Sequence, residues 1–333
     1  MQSTKRPLLE PRAPFQWRTV LLRWEWILVA LLAITMFTNG QLSKYFWDWY
    51  NLGDSTQNFS EKGIMALGMA LLILCREIDL SVAAIIALCS LCMGYAAQSG
   101  ANALTLLLVG LGVGAVCGAV NALLVIRLRV PSIVATIGTM SLFRGIAQGA
   151  LGDQALTTYP KDFAVFGQGY AGFVPLEFIF FCVLTVIVGV FLHRTRIGRQ
   201  LYALGNNPEA ASFSGVPVQR YRASLFVFMG VMAGFAAVCL TSRIGSTRPN
   251  IAQGWELDVI TMVVLGGIGI AGGTGSIFGV FLAVLTLGMI IFGMALLNIP
   301  GIVASVIIGS LLIVTIALPR ILARVTGQAK ARG

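Results

Sequence analysis

The sequence predicts an all-α integral membrane protein of about ten transmembrane helices. Three observations carry that prediction. Of the 333 residues, 57% are hydrophobic and only 11% are charged, whereas a soluble domain carries roughly 25% charge. The mean hydropathy is +0.86. Apolar runs recur at residues 26–40, 63–75, 81–98, 103–126, 131–149, 174–192, 223–241, 257–271, 276–297 and 301–318. A spanning helix takes about 20 residues, so ten would use roughly 200 and leave only short loops. A large soluble catalytic domain, a nucleotide-hydrolysing domain and a disordered chain are excluded. The chain divides into a segment 1–25, a membrane domain 26–318 and a tail 319–333. Runs 63–75 and 257–271 are short, which leaves their depth open.

The first run lies between aromatic clusters. Trp17, Trp24 and Trp26 stand at one end, and Tyr45, Trp47, Trp49 and Tyr50 at the other. From Trp26 to Tyr45 is about 28 Å of helix, the height of a bilayer core between two aromatic belts. No small-residue cleavage site follows, so the run reads as an uncleaved span rather than a signal peptide. In the fourth run Gly110, Gly114, Gly118 and Ala122 recur every four residues, and Gly275, Gly279 and Ala283 repeat the pattern at the ninth. Such stripes let helices approach closely. The fifth and tenth runs share an echo: Pro131–Leu142 and Pro300–Leu311 are identical at six of twelve positions without a gap. Alternating crossings start one copy inside and the other outside, which suggests two inverted five-helix halves. The competing reading is chance similarity of apolar segments, with proline at its favoured first helical position.

The net charge of +10 sets orientation. With the amino terminus in the cytoplasm, seventeen of the 23 basic residues fall inside. They are Lys5, Arg6, Arg12, Arg18, Arg23, Arg76, Arg127, Arg129, Arg194, Arg196, Arg199, Arg220, Arg222, Arg320, Arg324, Lys330 and Arg332. Lys44, Lys62, Arg144, Lys161, Arg243 and Arg248 fall outside or near the outer face. This asymmetry follows the positive-inside rule and places both termini in the cytoplasm. The excess therefore meets anionic lipid, and no nucleic-acid site is expected. Arg243 and Arg248 read either as interfacial residues or as contacts for an acidic partner.

Chemistry-bearing motifs are weak. Gly267–Gly272 matches a dinucleotide fingerprint, but it lies between apolar runs and not in a βαβ unit. The glycine-rich run 266–279 contains no lysine, so it is no phosphate-binding Walker loop. Cys89 and Cys92, like Cys75, Cys117, Cys182 and Cys239, sit in apolar runs and read as buried thiols. The single histidine, His193, reads as interfacial. Glu256 and Asp258, two residues apart, point to different helix faces at the outer interface. No catalytic residue, metal or cofactor is expected on this chain. No span centre shows a clear carboxylate or lysine pair, which argues against an ion-coupled secondary transporter. One histidine and no carboxylate cluster argue against a membrane-embedded enzyme.

The longest inner loop, 193–222, contains the punctuation of a helix: Asn207 suits the N-cap, Pro208 the first position and Glu209 the positive dipole end. Gly215 is a C-terminal stop, with Pro217 beyond it. A helix of two turns is marginal alone. It is either a capped surface turn or a docking knob for a cytoplasmic subunit.

Stretch 194–215 resembles the cytoplasmic loop of permeases from monosaccharide ABC importers, the ribose, xylose, rhamnose and autoinducer-2 group. Ile78-Asp79-Leu80-Ser81-Val82 is similar to that family's motif between early spans. Trp255–Asp258 followed by 265–276 resembles its late glycine-rich segment, including Gly272 and Gly273. The rhamnose-type systems look most alike. The resemblance implies a bacterial inner-membrane permease subunit importing a monosaccharide by alternating access. ATP and Mg would be held by a separate cytoplasmic ATP-binding subunit. A second permease chain, identical or different, and a periplasmic or extracellular sugar-binding protein would complete the complex. It further implies that Asn207, Pro208, Glu209, Ala210, Ala211 and Gly215 form the coupling helix, with the small alanines letting it lie in a groove. Asp79, Ser81, Glu256, Asp258, Gly272 and Gly273 would belong to gate or structural motifs. The chain departs from the family where glycines usually flank the Ile-Asp-Leu-Ser motif; here Arg76, Glu77, Ala83 and Ala84 stand there.

Overall fold

The computed structural model describes residues 24–325. The basic residues Lys5, Arg6, Arg12, Arg18, Arg23, Lys330 and Arg332, and the belt residue Trp17, lie outside the described residues. Ten helices match the ten apolar runs: α1 (Trp24–Leu42), α2 (Trp49–Leu74), α3 (Val82–Gln98), α4 (Ala103–Ala122, continued by a π turn through Arg127) and α5 (Ser132–Leu151) form the first five. A short α6 (Val165–Gln168) and a two-stranded hairpin, β1 (Tyr170–Ala171) with β2 (Val174–Pro175), lead to α7 (Leu176–Arg194). Two short helices follow, α8 (Arg196–Asn206) and α9 (Pro208–Phe213). The chain continues through α10 (Val218–Ile244), α11 (Trp255–Leu265), α12 (Ile277–Leu296) and α13 (Gly301–Val325). By length and composition α1, α4, α7, α10 and α12 are each apolar enough to cross a membrane.

The ten helices alternate in direction between two ends of the bundle. At the end that carries α9, the Trp24 indole donates to the Leu265 carbonyl (2.6 Å), and the Gly273 N–H donates to Leu74 O (2.9 Å). At the opposite end the hairpin lies on α2, where the Tyr170 hydroxyl donates to Asp54 (2.6 Å). Trp24 thus closes the bundle instead of standing in a lipid belt, while Trp26, Tyr45, Trp47, Trp49 and Tyr50 are exposed at the two ends of α1.

The glycine stripe of α4 explains the closest crossing. Gly114 faces Gly230 and Gly118 faces Phe226 on α10, backbone against backbone. A Cβ on either glycine would overlap a carbonyl oxygen. In a membrane such contact supplies dispersion attraction that lipid would otherwise supply. Around this crossing the neighbour pattern repeats. α10 packs on α3 and α4, as α2 packs on α11 and α12; α3 packs on α4 and α5, as α11 packs on α12 and α13. Exchange of the two five-helix halves maps each of these pairings onto another. The first helix of each half departs from the pattern, α1 lying on α12 and α7 on α2.

Two expectations about the spans change. α2 begins at Trp49, well before the apolar run at 63, because the polar residues of its first half face protein partners and not lipid. α11 has only 11 residues, about 17 Å of helix. The apolar residues beyond Leu265 form a glycine-rich loop, Gly266–Ser276, that returns to the α9 end.

Candidate functional site

Both halves contain a long helix joined through an irregular segment, here called a break, to a shorter helix that runs the other way. α2 ends at Leu74 and α3 begins at Val82; α10 ends at Ile244 and α11 begins at Trp255. Each break holds a non-glycine residue in the left-handed region, Arg76 (φ 66°) and Ala252 (φ 56°). L-residues avoid that region, so each position is held by its surroundings. Irregular backbone at membrane depth persists only where protein or a water-filled cavity satisfies it. Unusually short segments in corresponding positions of two halves point to a transport path.

The first break is bound by a buried polar network. Asp79, fully buried, accepts from the Ser81 N–H (2.8 Å) and Ser81 hydroxyl (2.6 Å) through Oδ1, and from Asn121 Nδ2 (3.0 Å) through Oδ2. Asn121 also donates to Ser81 Oγ (2.8 Å), and the Thr139 hydroxyl donates to Asn121 Oδ1 (2.7 Å). The motif residues Asp79 and Ser81 therefore tie the head of α3 to α4 and α5. Asn121 and Thr139 escaped the sequence reading. A lone asparagine ending a glycine stripe was the available signal, since a buried polar group must find a partner.

The same break reaches the α9 end. Arg76 donates from Nε to Gly205 O (2.7 Å) and from NH2 to Asn206 O (2.6 Å), capping the last carbonyls of α8. Glu77 Oε1 lies 3.2 Å from Arg222 Nε at the start of α10. The Gly266–Ser276 loop packs beneath. Gly272 (φ 81°) and Gly273 (φ 75°) take backbone angles that glycine adopts freely. Asn206 Nδ2 donates to Gly273 O (3.2 Å), and the Tyr202 hydroxyl donates to Gly275 O (2.7 Å). No strand precedes this loop among the described residues, so Gly267–Gly272 is a packing loop and no dinucleotide cradle. His193 accepts the Ile277 N–H (3.4 Å) at the same end.

From this base α9 projects. Asn207 Oδ1 accepts the N–H groups of Glu209 (3.1 Å) and Ala210 (3.0 Å), Pro208 opens the helix, and Gly215 (φ 81°) ends the turn behind it. Glu209 and Ala210 are exposed, and Phe213 is 92% exposed. Ala211 is buried against the chain itself, so its small size serves the fold and not an outside groove. A cavity of about 490 Å³ lies beside α9, lined by Pro208, Glu209, Ser212 and Arg222 among others.

The second break is held differently. The Thr247 hydroxyl donates to Ser90 O (2.9 Å) and meets the hydroxyls of Ser90 and Tyr159, both at 2.6 Å. Burial pushes the Tyr159 hydroxyl above its ordinary pKa, so it stays protonated and can donate. Arg144, on α5, reaches three backbone carbonyls: Pro249 (3.1 Å), Ile251 (2.7 Å) and Ala83 (3.1 Å). Above this break a cavity of about 660 Å³ opens between Gln148, Asp153, Gln154, Arg248 and Asn250.

Buried charges gather toward the end opposite α9, where Arg243 is next to last in α10 and Glu177 second in α7. Lys62 on α2 pairs with Asp258 on α11 at 2.5 Å and stands 4.9 Å from the Trp255 ring centre. Lys62 lies about 18 Å along α2 from Leu74, within the bundle and not at its surface. Glu61, fully buried, pairs with Arg243 at 2.8 Å, and Glu177 lies 3.9 Å from the same guanidinium. Lys62 and Arg144 are thus partly buried among partners toward the end opposite α9, and Asp258 faces α2. Glu256 is half-buried at the start of α11. All six cysteines are free, with Cys75, Cys89, Cys117 and Cys239 buried.

Residues 51–316 match a family model described as branched-chain amino acid transport system / permease component. The autoinducer 2 import system permease protein LsrD of Shigella flexneri is 35% identical over 299 residues, 88% of this chain and 91% of its own length. The proteins of that name from Shigella flexneri serotype 5b (strain 8401) and Escherichia coli (strain SMS-3-5 / SECEC) match over the same extent, at 35% identity. No solved structure matches.

Proposed function

We propose, from the premise that this chain belongs to the family of branched-chain amino acid transport system / permease components, that it is the membrane subunit of an ATP-driven importer of a monosaccharide. It catalyses no reaction; it supplies a path. The observation that carries the reading is α9. A six-residue helix with a fully engaged cap would be marginal in isolation, yet here it is braced by α8 and projects Phe213 into the open. An exposed aromatic beside a largely apolar cavity suits the anchor of an interface.

The bracing runs inward without a gap. α9 follows α8, whose last carbonyls are held by Arg76 in the first break. The break continues into the Asp79 network at the head of α3. A push on α9 is therefore delivered to the discontinuous helices. ATP and Mg belong to a cytoplasmic ATP-binding subunit that grips this knob; Glu209 and Phe213 meet it. The α9 end is then cytoplasmic, as are both termini, in a bacterial inner membrane. A sugar-binding protein delivers solute to the opposite end.

A second permease chain fits the exposed small residues of α5 and α13. Among the described residues, Gly138, Gly145 and Gly149, and Gly301 and Gly309, have no neighbouring element within 4 Å of the position a Cβ would take. The relatives named above are described as importing autoinducer 2. For this chain we assign the cargo as a small hydroxyl-rich solute of the monosaccharide class, rhamnose or a related sugar. Amide, carboxylate and guanidinium groups of the 660 Å³ cavity suit hydroxyl donors and acceptors.

The test is to purify the chain with its bound subunits and assay ATP-dependent uptake in proteoliposomes. Phe213→Asp and an insertion at Gly215 should leave folding intact, release the ATP-binding subunit and abolish uptake. Normal uptake in both removes the reading. The buried carboxylates Glu61 and Glu177, which share Arg243, favour a second one, an ion-coupled secondary transporter. Uptake by the chain alone, driven by a proton or sodium gradient, would select it.

A further inference from the structure

Arg144 is the single charged residue of α5, and it forms no ion pair among the described residues. The Glu256 carboxylate lies near enough to be felt but makes no contact, so the half-buried guanidinium needs another reason to be there. Its partners supply one. NH1 donates to the carbonyls of Pro249 and Ile251, and NH2 to that of Ala83. Pro249 and Ile251 lie in the second break, whereas Ala83 lies in the first turn of α3, just past the first break. Neither the Pro249 nor the Ile251 carbonyl accepts a backbone N–H among the described residues. Buried carbonyls of that kind must be satisfied by something.

We propose that Arg144 is a latch that holds segment 245–254 closed onto the head of α3 and is released in each transport cycle. It is a positioning residue, and the proposal deepens the function assigned above. The geometry suits a two-state element. The segment is strained at Ala252 (φ 56°), so it does not hold its shape unaided. The cavity lined by Gln148 and Asn250 adjoins it, and Gln148 stands one helical turn from Arg144 on α5. Water from that cavity takes over the freed carbonyls when the latch opens, so opening leaves no orphaned group. Because the latch also grips Ala83, movement at the first break alters its hold on the second. The two discontinuous helices are thereby coupled through one side chain.

The experiment uses the full chain assembled with its subunits. Ile251→Cys places a thiol at a buried position of the segment (7% exposed), and a membrane-impermeant maleimide reads its accessibility. Thr286→Cys, fully buried on α12, is the control for general loosening. Adding Arg144→Met, which keeps the apolar stem, removes three charge-assisted hydrogen bonds and should raise labelling at 251 by about tenfold or more. Labelling at 286 should not change. Arg144→Lys retains a charge and point-like donors but not the fork, and should restore labelling partway. Uptake should fall in Arg144→Met while basal ATP hydrolysis persists. Unchanged labelling at 251 in both variants overturns the latch, as does an equal rise at 286. Should Arg144→Met not assemble, Arg144→Lys alone decides: labelling equal to that of unsubstituted Arg144 overturns the proposal. The two readings separate, because labelling reports the latch whatever drives transport. Increased labelling with no ATP-dependent uptake by the unsubstituted complex would remove the importer reading and keep the latch.

Discussion

The two breaks solve one problem with different materials. At the first, the interrupted backbone is gathered by a buried carboxylate, Asp79, whose oxygens are engaged by Ser81 and Asn121. At the second, neutral hydroxyls around Thr247 and a guanidinium donating to carbonyls do the work. The first is joined directly to α8, and through it to α9, by Arg76. The second borders an open cavity of about 660 Å³. Under the function proposed above, the difference makes the first break a stiff input and the second a yielding output. A carboxylate that stays buried cannot part from its donors without a large desolvation penalty, so the first break moves as a unit with its neighbours. Carbonyls beside water exchange partners cheaply, so the second can open.

This contrast can be broken by mutation, and the largest effect is expected at its stiffest point. Asp79→Ala leaves the Ser81 and Asn121 donors buried without an acceptor and should destabilise the chain by about 3–5 kcal/mol. Thermal unfolding in detergent reads this directly; a loss comparable to that at the second break would erase the stiff-versus-yielding distinction. Thr247→Val keeps the volume but loses contacts to Ser90 and Tyr159. It should cost about 1–2 kcal/mol, with the folded chain retained in the membrane.

The left-handed residues sharpen the comparison further. Arg76→Gly relieves the φ of 66° but gives up two hydrogen bonds to α8 carbonyls. The net loss should be about 1 kcal/mol. Its functional signature should be larger: ATP hydrolysis continuing while uptake falls, because the input no longer connects α9 to the path. Ala252→Gly relieves the same kind of strain without losing any side-chain bond. It should stabilise by about 0.5–1 kcal/mol in the same unfolding assay. If both glycine variants behave alike, Arg76 is no link.

Much of this arrangement was legible in the sequence, and what was not has a common cause. The cap and stop of α9 were readable because Asn207, Pro208 and Gly215 act locally, through their own backbone geometry. The stripe Gly110, Gly114 and Gly118 was readable because helical spacing places those residues on one face. The start of α2 was not, since hydropathy measures preference for lipid whereas Asp54, Glu61 and Lys62 answer to protein partners far along the chain. The partners of Arg144 were hidden for the same reason: its charge can be counted, but its three carbonyl partners come from sequence positions more than fifty residues away. The loop after Leu265 looked like a span because its residues are apolar. Its glycines at 267, 272, 273 and 275 adopt positive φ and turn it back instead.

The central claim is that this chain is a path moved from outside itself through α9. The direct measurement is solute accumulation in vesicles holding either the chain alone or the chain with its ATP-binding subunit and binding protein. The account predicts accumulation only in the complete assembly with ATP, and none from the chain alone under any ion gradient. Concentration of sugar by the chain alone would contradict it.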